Sequence, residues 1–238
     1  MNEYQLNYKI IGEGEEILFI PGWNDNLEHF YDIALKLHKY KVILIDLPNQ
    51  GNSKPIYKKI EMDDYIMIIR NFLVKNNLNP KIIIGHSFGG KLAFLYSLKY
   101  PINKLVLVAP SLIKNKSLIT YYKIYKYKFI KNLKYYLNLK VNLNKYGSNE
   151  YKTQKGIERH NFIIATNNYY NKDLKKVKIP TLLYYGKLDK VTPLKEGRYI
   201  KRKMLNSKLI IDENGDHFAM YSNPYKFIRS LKEFINDI

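Results

Sequence analysis

Lys81-Ile82-Ile83-Ile84-Gly85-His86-Ser87-Phe88-Gly89-Gly90-Lys91-Leu92-Ala93-Phe94-Leu95-Tyr96-Ser97-Leu98 joins an apolar run to a helical pattern through a G-x-S-x-G turn. A strand, that pentapeptide and a helix in this order describe a nucleophile elbow, in which a serine is held on a sharp turn with its hydroxyl above the sheet. Side chains two positions either side of the serine would collide in so tight a turn, so Gly85 and Gly89 are required to lack a Cβ. The helix that follows aims its N-terminal N–H groups and dipole at the site, where negative charge develops in acyl transfer. A glycine-rich turn between strand and helix can also cradle a phosphate. An acid and a histidine in the right setting further along the chain decide between the two.

Both are present. Thr181-Leu182-Leu183-Tyr184-Tyr185-Gly186 reads as a buried strand entered by Pro180, and Asp189 lies in the loop just past its C-terminal end, where open α/β sheets carry their functional groups. Lys208-Leu209-Ile210-Ile211-Asp212 reads as the next strand, with His217 in the loop after it. The order Ser87, Asp189, His217 predicts a nucleophile, an orienting acid and a general base. Asp212 and Asp216 are rival acids. Asp216 adjoins the histidine and is poorly placed to reach its ring, and Asp212 closes a strand on the same loop. His29 and His38 fall on a surface helix pattern, His160 in a polar insert and His86 inside the elbow; none has the strand-to-loop setting of His217.

Acyl transfer also needs two N–H donors at the developing oxyanion. Phe88, next after the nucleophile, is one candidate. The strand Ile17-Leu18-Phe19-Ile20 ends in Pro21-Gly22-Trp23-Asn24, and Gly22 permits close backbone approach, so the Trp23 N–H is the other. The Trp23 indole then serves as pocket wall. Taken together, the chain resembles the α/β-hydrolase superfamily, in particular its small single-domain esterase-like branch, through nearly all of its length. The resemblance is carried by the elbow, by Asp46-Leu47-Pro48-Asn49-Gln50-Gly51-Asn52-Ser53-Lys54-Pro55 for the family's D-x-P-G-x-G-x-S-x-P loop, by Ile179-Pro180-Thr181 through Val191-Thr192-Pro193, and by Gly215-Asp216-His217-Phe218 for its G-x-H-F. Pro21 stands where the family has the histidine of its H-G oxyanion loop, and Asn49 stands where it has a glycine.

The expected fold is therefore α/β: a mostly parallel sheet with helices on both faces and a helical cap insertion. Val42-Ile43-Leu44-Ile45, Ile82-Ile83-Ile84 and Val106-Leu107-Val108 are short, fully apolar runs, as strands buried on both faces require. The N-terminal segment is expected to form a hairpin through Gly12-Glu13-Gly14. One domain over 1–238 is predicted, with the cap at about 111–176, where the strand–helix alternation breaks. There Leu118, Tyr122, Tyr125, Phe129, Leu133 and Tyr136 recur at helical spacing, with lysines between them. Most of this stripe is expected to pack on the core, and a few members to face the substrate; with Trp23 and Phe88, Tyr122 and Tyr125 are the pocket candidates. In the family an insert here forms a cap over the nucleophile.

The 238 residues carry a net charge of +19, but among 40 Lys and Arg only Arg70, Arg159, Arg198, Arg202 and Arg229 are arginine. A phosphate-reading surface favours the bidentate Arg fork, and abundant Lys, Asn, Ile and Tyr point to AT-rich codons, so nucleic acid is not an expected partner. Where the charge is functional, its expected partner is an acidic one such as an acyl carrier protein. Cysteine is absent, which excludes disulfides and thiol chemistry. No basic, then apolar, leader pattern opens the sequence and no apolar run approaches the roughly 18 residues of a membrane span, so a soluble, cytoplasmic protein is expected. No metal-ligand spacing occurs, and the predicted chemistry requires no cofactor. The expected reaction is hydrolysis of a carboxylic ester or thioester of a small to medium acyl group through a Ser87 acyl-enzyme. The same residues would serve a peptidase removing an N-terminal residue, with Glu150 or Glu158 holding the amine, or a C–C bond hydrolase. A receptor using the pocket without turnover is the alternative of another class.

Overall fold

The computed structural model describes residues 4–113, 125–127, 129–130, 133, 136 and 153–236. Seven strands form one sheet: β1 (Tyr8–Ile11), β2 (Glu15–Ile20), β3 (Tyr40–Ile45), β4 (Ile82–His86), β5 (Lys104–Val108), β6 (Thr181–Gly186) and β7 (Ser207–Asp212), in the order β1-β3-β2-β4-β5-β6-β7. β1 runs antiparallel to β3; every other pairing is parallel. The apolar runs are continuous because alternate residues serve opposite faces. Leu18, Ile20, Ile43, Ile83, Leu105 and Leu183 bury on one side, against α2 (Met62–Lys75) and α3 (Phe88–Lys99). Ile17, Phe19, Leu44, Ile84, Val106 and Leu182 bury on the other, against α1 (Tyr31–Leu35) and the C-terminal helix. The described chain continues with α4 (Gly156–Asn167), α5 (Leu194–Lys203), α6 (Ala219–Ser222) and α7 (Pro224–Asn236).

The expected N-terminal hairpin does not form. β1 pairs with β3, which lies between β1 and β2, so Gly12 and Gly14 carry the chain across the entry of β3. Gly12 has φ +76°, and a Cβ on it would lie 2.5 Å from the Tyr40 carbonyl oxygen. The glycines are there for that crossing, not for a two-strand turn. Of the aromatic stripe, Tyr125, Phe129, Leu133 and Tyr136 are helical but exposed, so packing on the core is corrected for these four. Leu118 and Tyr122 lie outside the described residues, as does most of the expected insertion. Among the described residues no helix is long and apolar enough to cross a membrane.

Candidate active site

Three parallel strands of the sheet, β4, β6 and β7, end on one edge of it with β5 between the first two, and each delivers one of the predicted groups. β4 ends at His86, and Ser87 follows at φ 52° and ψ −111°, a left-handed backbone that costs about 1–3 kcal/mol for a residue with a Cβ. The turn is pinned by the Ser87 N–H, which donates to the Val108 carbonyl at 2.9 Å, and by the Ser87 carbonyl, which accepts from Lys91 and Ser111 N–H at 3.1 Å each. A Cβ on Gly85 would collide with the Gly89 carbonyl, and one on Gly89 with the carbonyls of Ile20 and Pro21. Both elbow glycines are therefore forced by backbone crowding.

His217, after β7, brings Nε2 to 3.0 Å from Ser87 Oγ, and its Nδ1 lies 2.8 Å from Asp189 Oδ2, after β6. The other oxygen of Asp189 accepts the N–H groups of Val191 at 2.7 Å and Thr192 at 2.9 Å. The Thr192 hydroxyl sits against Asp189 Oδ2 at 2.8 Å and the Ala109 carbonyl at 3.1 Å. Burial opposes ionisation of Asp189, but the hydrogen bond and charge of His217 and the Thr192 donors outweigh it and hold the carboxyl below its ordinary value. The rival acids are occupied elsewhere. Asp212 accepts from Tyr184 Oη at 3.2 Å and faces Lys226 Nζ at 3.6 Å, while Asp216 accepts the Phe218 N–H at 2.8 Å.

Phe88 opens α3, so its N–H belongs to the helix turn that has no intrahelical acceptor. Gly22 packs on the elbow: a Cβ there would meet Ser87 Cβ at 3.5 Å, which brings the Trp23 backbone into the same neighbourhood. An aromatic wall follows. The Trp23 ring lies edge-on to Phe88 and to Phe162 of α4, each at 5.6 Å, and Tyr65 meets Phe88 at 5.2 Å. With the Gln154 amide turned to satisfy both neighbours, its oxygen accepts Trp23 Nε1–H at 3.1 Å. Tyr125 is 70% exposed and makes no described contact with this wall. Of the carboxylates considered for an amine, Glu158 is exposed and Glu150 lies outside the described residues.

Several polar residues at the site carry no marker in the sequence. Thr192 is the exception in part: a Ser/Thr three residues after an acid is a recognisable local hydrogen-bonding pattern. Asn161, buried on α4, accepts the Ile60 N–H at 2.9 Å and donates to the Lys58 carbonyl at 3.3 Å, tying the helix to the segment before α2. Lys91 is fully buried and donates to the Ala165 carbonyl near the end of α4. Asn49 has φ 63°, the region where asparagine is the best substitute for glycine, so its departure from the family pattern preserves the loop. Among the described residues no cluster of three or more His, Asp or Glu could hold a metal ion.

A strained serine on a strand–turn–helix in a parallel sheet, with a histidine and an acid at the ends of neighbouring strands, is the architecture of an α/β hydrolase, and the chain belongs to the α/β-hydrolase superfamily. The family profile for the α/β hydrolase fold matches residues 16–123. Among curated proteins, the chain is 30% identical to the pimeloyl-[acyl-carrier protein] methyl ester esterase of Wigglesworthia glossinidia brevipalpis, covering 96% of each chain. It is 24% identical to a proline iminopeptidase of Saccharolobus solfataricus, over 92% of this chain and 87% of that one. Among solved structures, an esterase from Exiguobacterium antarcticum superposes with a TM-score of 0.77 at 17% identity, covering 100% of both chains.

Proposed function

We propose that this protein is a serine esterase in which Ser87 is the nucleophile, His217 the general base and Asp189 the orienting acid, and that its substrate is an ester of a small to medium acyl group carried by an acyl carrier protein. The contact that carries the reading is Ser87 Oγ to His217 Nε2 at 3.0 Å, continued from Nδ1 to Asp189 at 2.8 Å. Ser87 Oγ attacks the ester carbonyl carbon as its proton passes to His217 Nε2. The N–H groups of Phe88 and Trp23 receive the oxyanion. Collapse breaks the bond to the leaving alcohol, which takes the proton from the imidazolium, and water, activated by His217, then releases the acid from Ser87. Asp189 fixes the ring with Nε2 toward the serine and stabilises its charged form. The chain is then one hydrolase domain with a cap at about 111–176, α4 being its last α-helix before β6.

The carrier-protein part draws on the 30% identical relative, whose name states that substrate, and on the net charge of +19, which attracts an acidic carrier. Fluorophosphonate labelling of the protein, with Ser87→Ala beside it, tests the chemistry: label on Ser87 is expected, and none on the wild type would overturn the enzyme reading. Substrate class is tested by comparing a carrier-linked acyl methyl ester with the free methyl ester and with aminoacyl amides. The carrier-linked ester should be preferred, and its kcat/KM should fall severalfold from low to high salt while the free ester's does not. Preference for the aminoacyl amide would replace the esterase reading with a peptidase one.

A further inference from the structure

Behind the base lies a second acid and a second histidine that the proposed chemistry does not use. His86, the residue before the nucleophile, is 1% exposed, and its Nε2 is 2.9 Å from the backbone carbonyl oxygen of His217. A carbonyl only accepts, so Nε2 carries a proton. The other ring nitrogen, Nδ1, has no hydrogen-bond partner and faces Asp25 Oδ2 at 3.6 Å. Asp25 is itself 6% exposed. Its Oδ1 accepts from His29 and from the Asn26 N–H at 2.8 Å, and its Oδ2 from Tyr221 Oη at 2.8 Å. Burial alone would raise the Asp25 carboxyl; the His86, His29 and Tyr221 groups facing it prevail and hold it well below the usual carboxylate range. It is therefore an anion beneath the site.

Tyr221 lies on α6, four residues beyond His217, so Asp25 reaches the segment carrying the base by two routes. One runs through His86 to the His217 carbonyl, the other through Tyr221 to the helix that follows. The rings close the gap between them, with His86 centred 5.0 Å from His217, 5.6 Å from Phe218 and 5.7 Å from Tyr221. Asp189 controls how the His217 imidazole is turned, but where the ring sits depends on its backbone. We propose that Asp25 and His86 are positioning residues: a second acid–histidine pair that, with Tyr221, fixes the backbone of the base at the distance from Ser87 that proton transfer needs. This rests on Ser87 and His217 being nucleophile and base.

Steady-state kinetics on a chromogenic ester, normalised to sites titrated by fluorophosphonate, provide the test. His86→Leu removes the donor to His217; kcat should fall about 30-fold with KM within about twofold, since a misplacement near 1 Å costs up to about 100-fold. His86→Gln puts an amide N–H near the place of Nε2 and should recover kcat to within about fivefold of wild type. Asp25→Asn should lower kcat at unchanged KM, and it stands in if His86→Leu does not fold. Wild-type kcat per titrated site in His86→Leu or in Asp25→Asn, or a His86→Gln as impaired as His86→Leu, would overturn the proposal. Failure of the underlying esterase reading shows separately, in a wild-type protein that does not label at Ser87.

Discussion

Replacing Lys91 by methionine should remove the part of this protein's alkaline pH dependence of stability that comes from one buried amine. Lys91 is fully buried on α3, one turn past Ser87, and burial lowers its pKa from 10.5 to about 7. Its neighbours are the Ala165 carbonyl and the ring of Tyr169, whose centroid is 5.7 Å from Nζ; among the described residues no carboxylate pairs with it. Between these two pKa values the unfolded chain holds a proton there that the folded chain has released. Stability therefore rises with pH from 7 to 10.5, and falls as pH drops through that window. The linkage relation makes the burial cost about 4 kcal/mol at pH 7 and about 2 kcal/mol at pH 9. Methionine has nearly the same length and no charge, and its loss of the hydrogen bond to Ala165 is the same at both pH values. Urea unfolding of both proteins at pH 7 and pH 9 gives four free energies. The wild type should gain about 2 kcal/mol on the variant between the two conditions, because every other titrating group is common to both. A difference constant to within about 0.5 kcal/mol would refute the assignment of a neutral, desolvated lysine at this position.

Asp189→Asn should lower kcat/KM for an ester about 10,000-fold by allowing the wrong tautomer of His217, whereas Asp212→Asn should stay within about threefold. Equal losses in the two variants would mean that the acid has been misassigned. Asn161→Ala should lower unfolding free energy by about 1–3 kcal/mol, since the Ile60 N–H loses its acceptor; an unchanged denaturation midpoint would show that α4 does not depend on this staple. Trp23 is the only tryptophan, and its ring is 5.6 Å from that of Phe88. Its fluorescence should therefore change when a fluorophosphonate modifies Ser87, and identical spectra before and after full labelling would place the indole away from the acyl pocket.

What could be seen in the sequence divides along a physical line. The elbow, Asp189 and His217 were legible because each sits at a junction between a short apolar run and a polar loop, and in a parallel sheet such junctions at the C-terminal ends of strands converge. Position along one strand was enough to bring them together. β1 was not legible, because a strand's own pattern says that it is extended and not which strand it joins; only the full sheet shows β3 lying between β1 and β2. The stripe containing Tyr125, Phe129 and Leu133 shows the same limit for a helix: spacing proves a shared face, while burial depends on what covers it. Asp25, Lys91 and Asn161 belong to a third kind. Each is a polar residue with at least one partner remote in the chain, such as Tyr221 for Asp25 and Ala165 for Lys91. A polar residue costs free energy to bury unless it is paired, so its presence in a sequence implies the surface until the partner is known. His86 is the sharpest case. Its neighbour Ser87 made it look like part of the turn, yet its bond is to the carbonyl of His217, 131 positions on. The groups proposed to break the bond were readable from local pattern, and the groups proposed to hold them in place were not, because holding is a property of the contacts and not of the order.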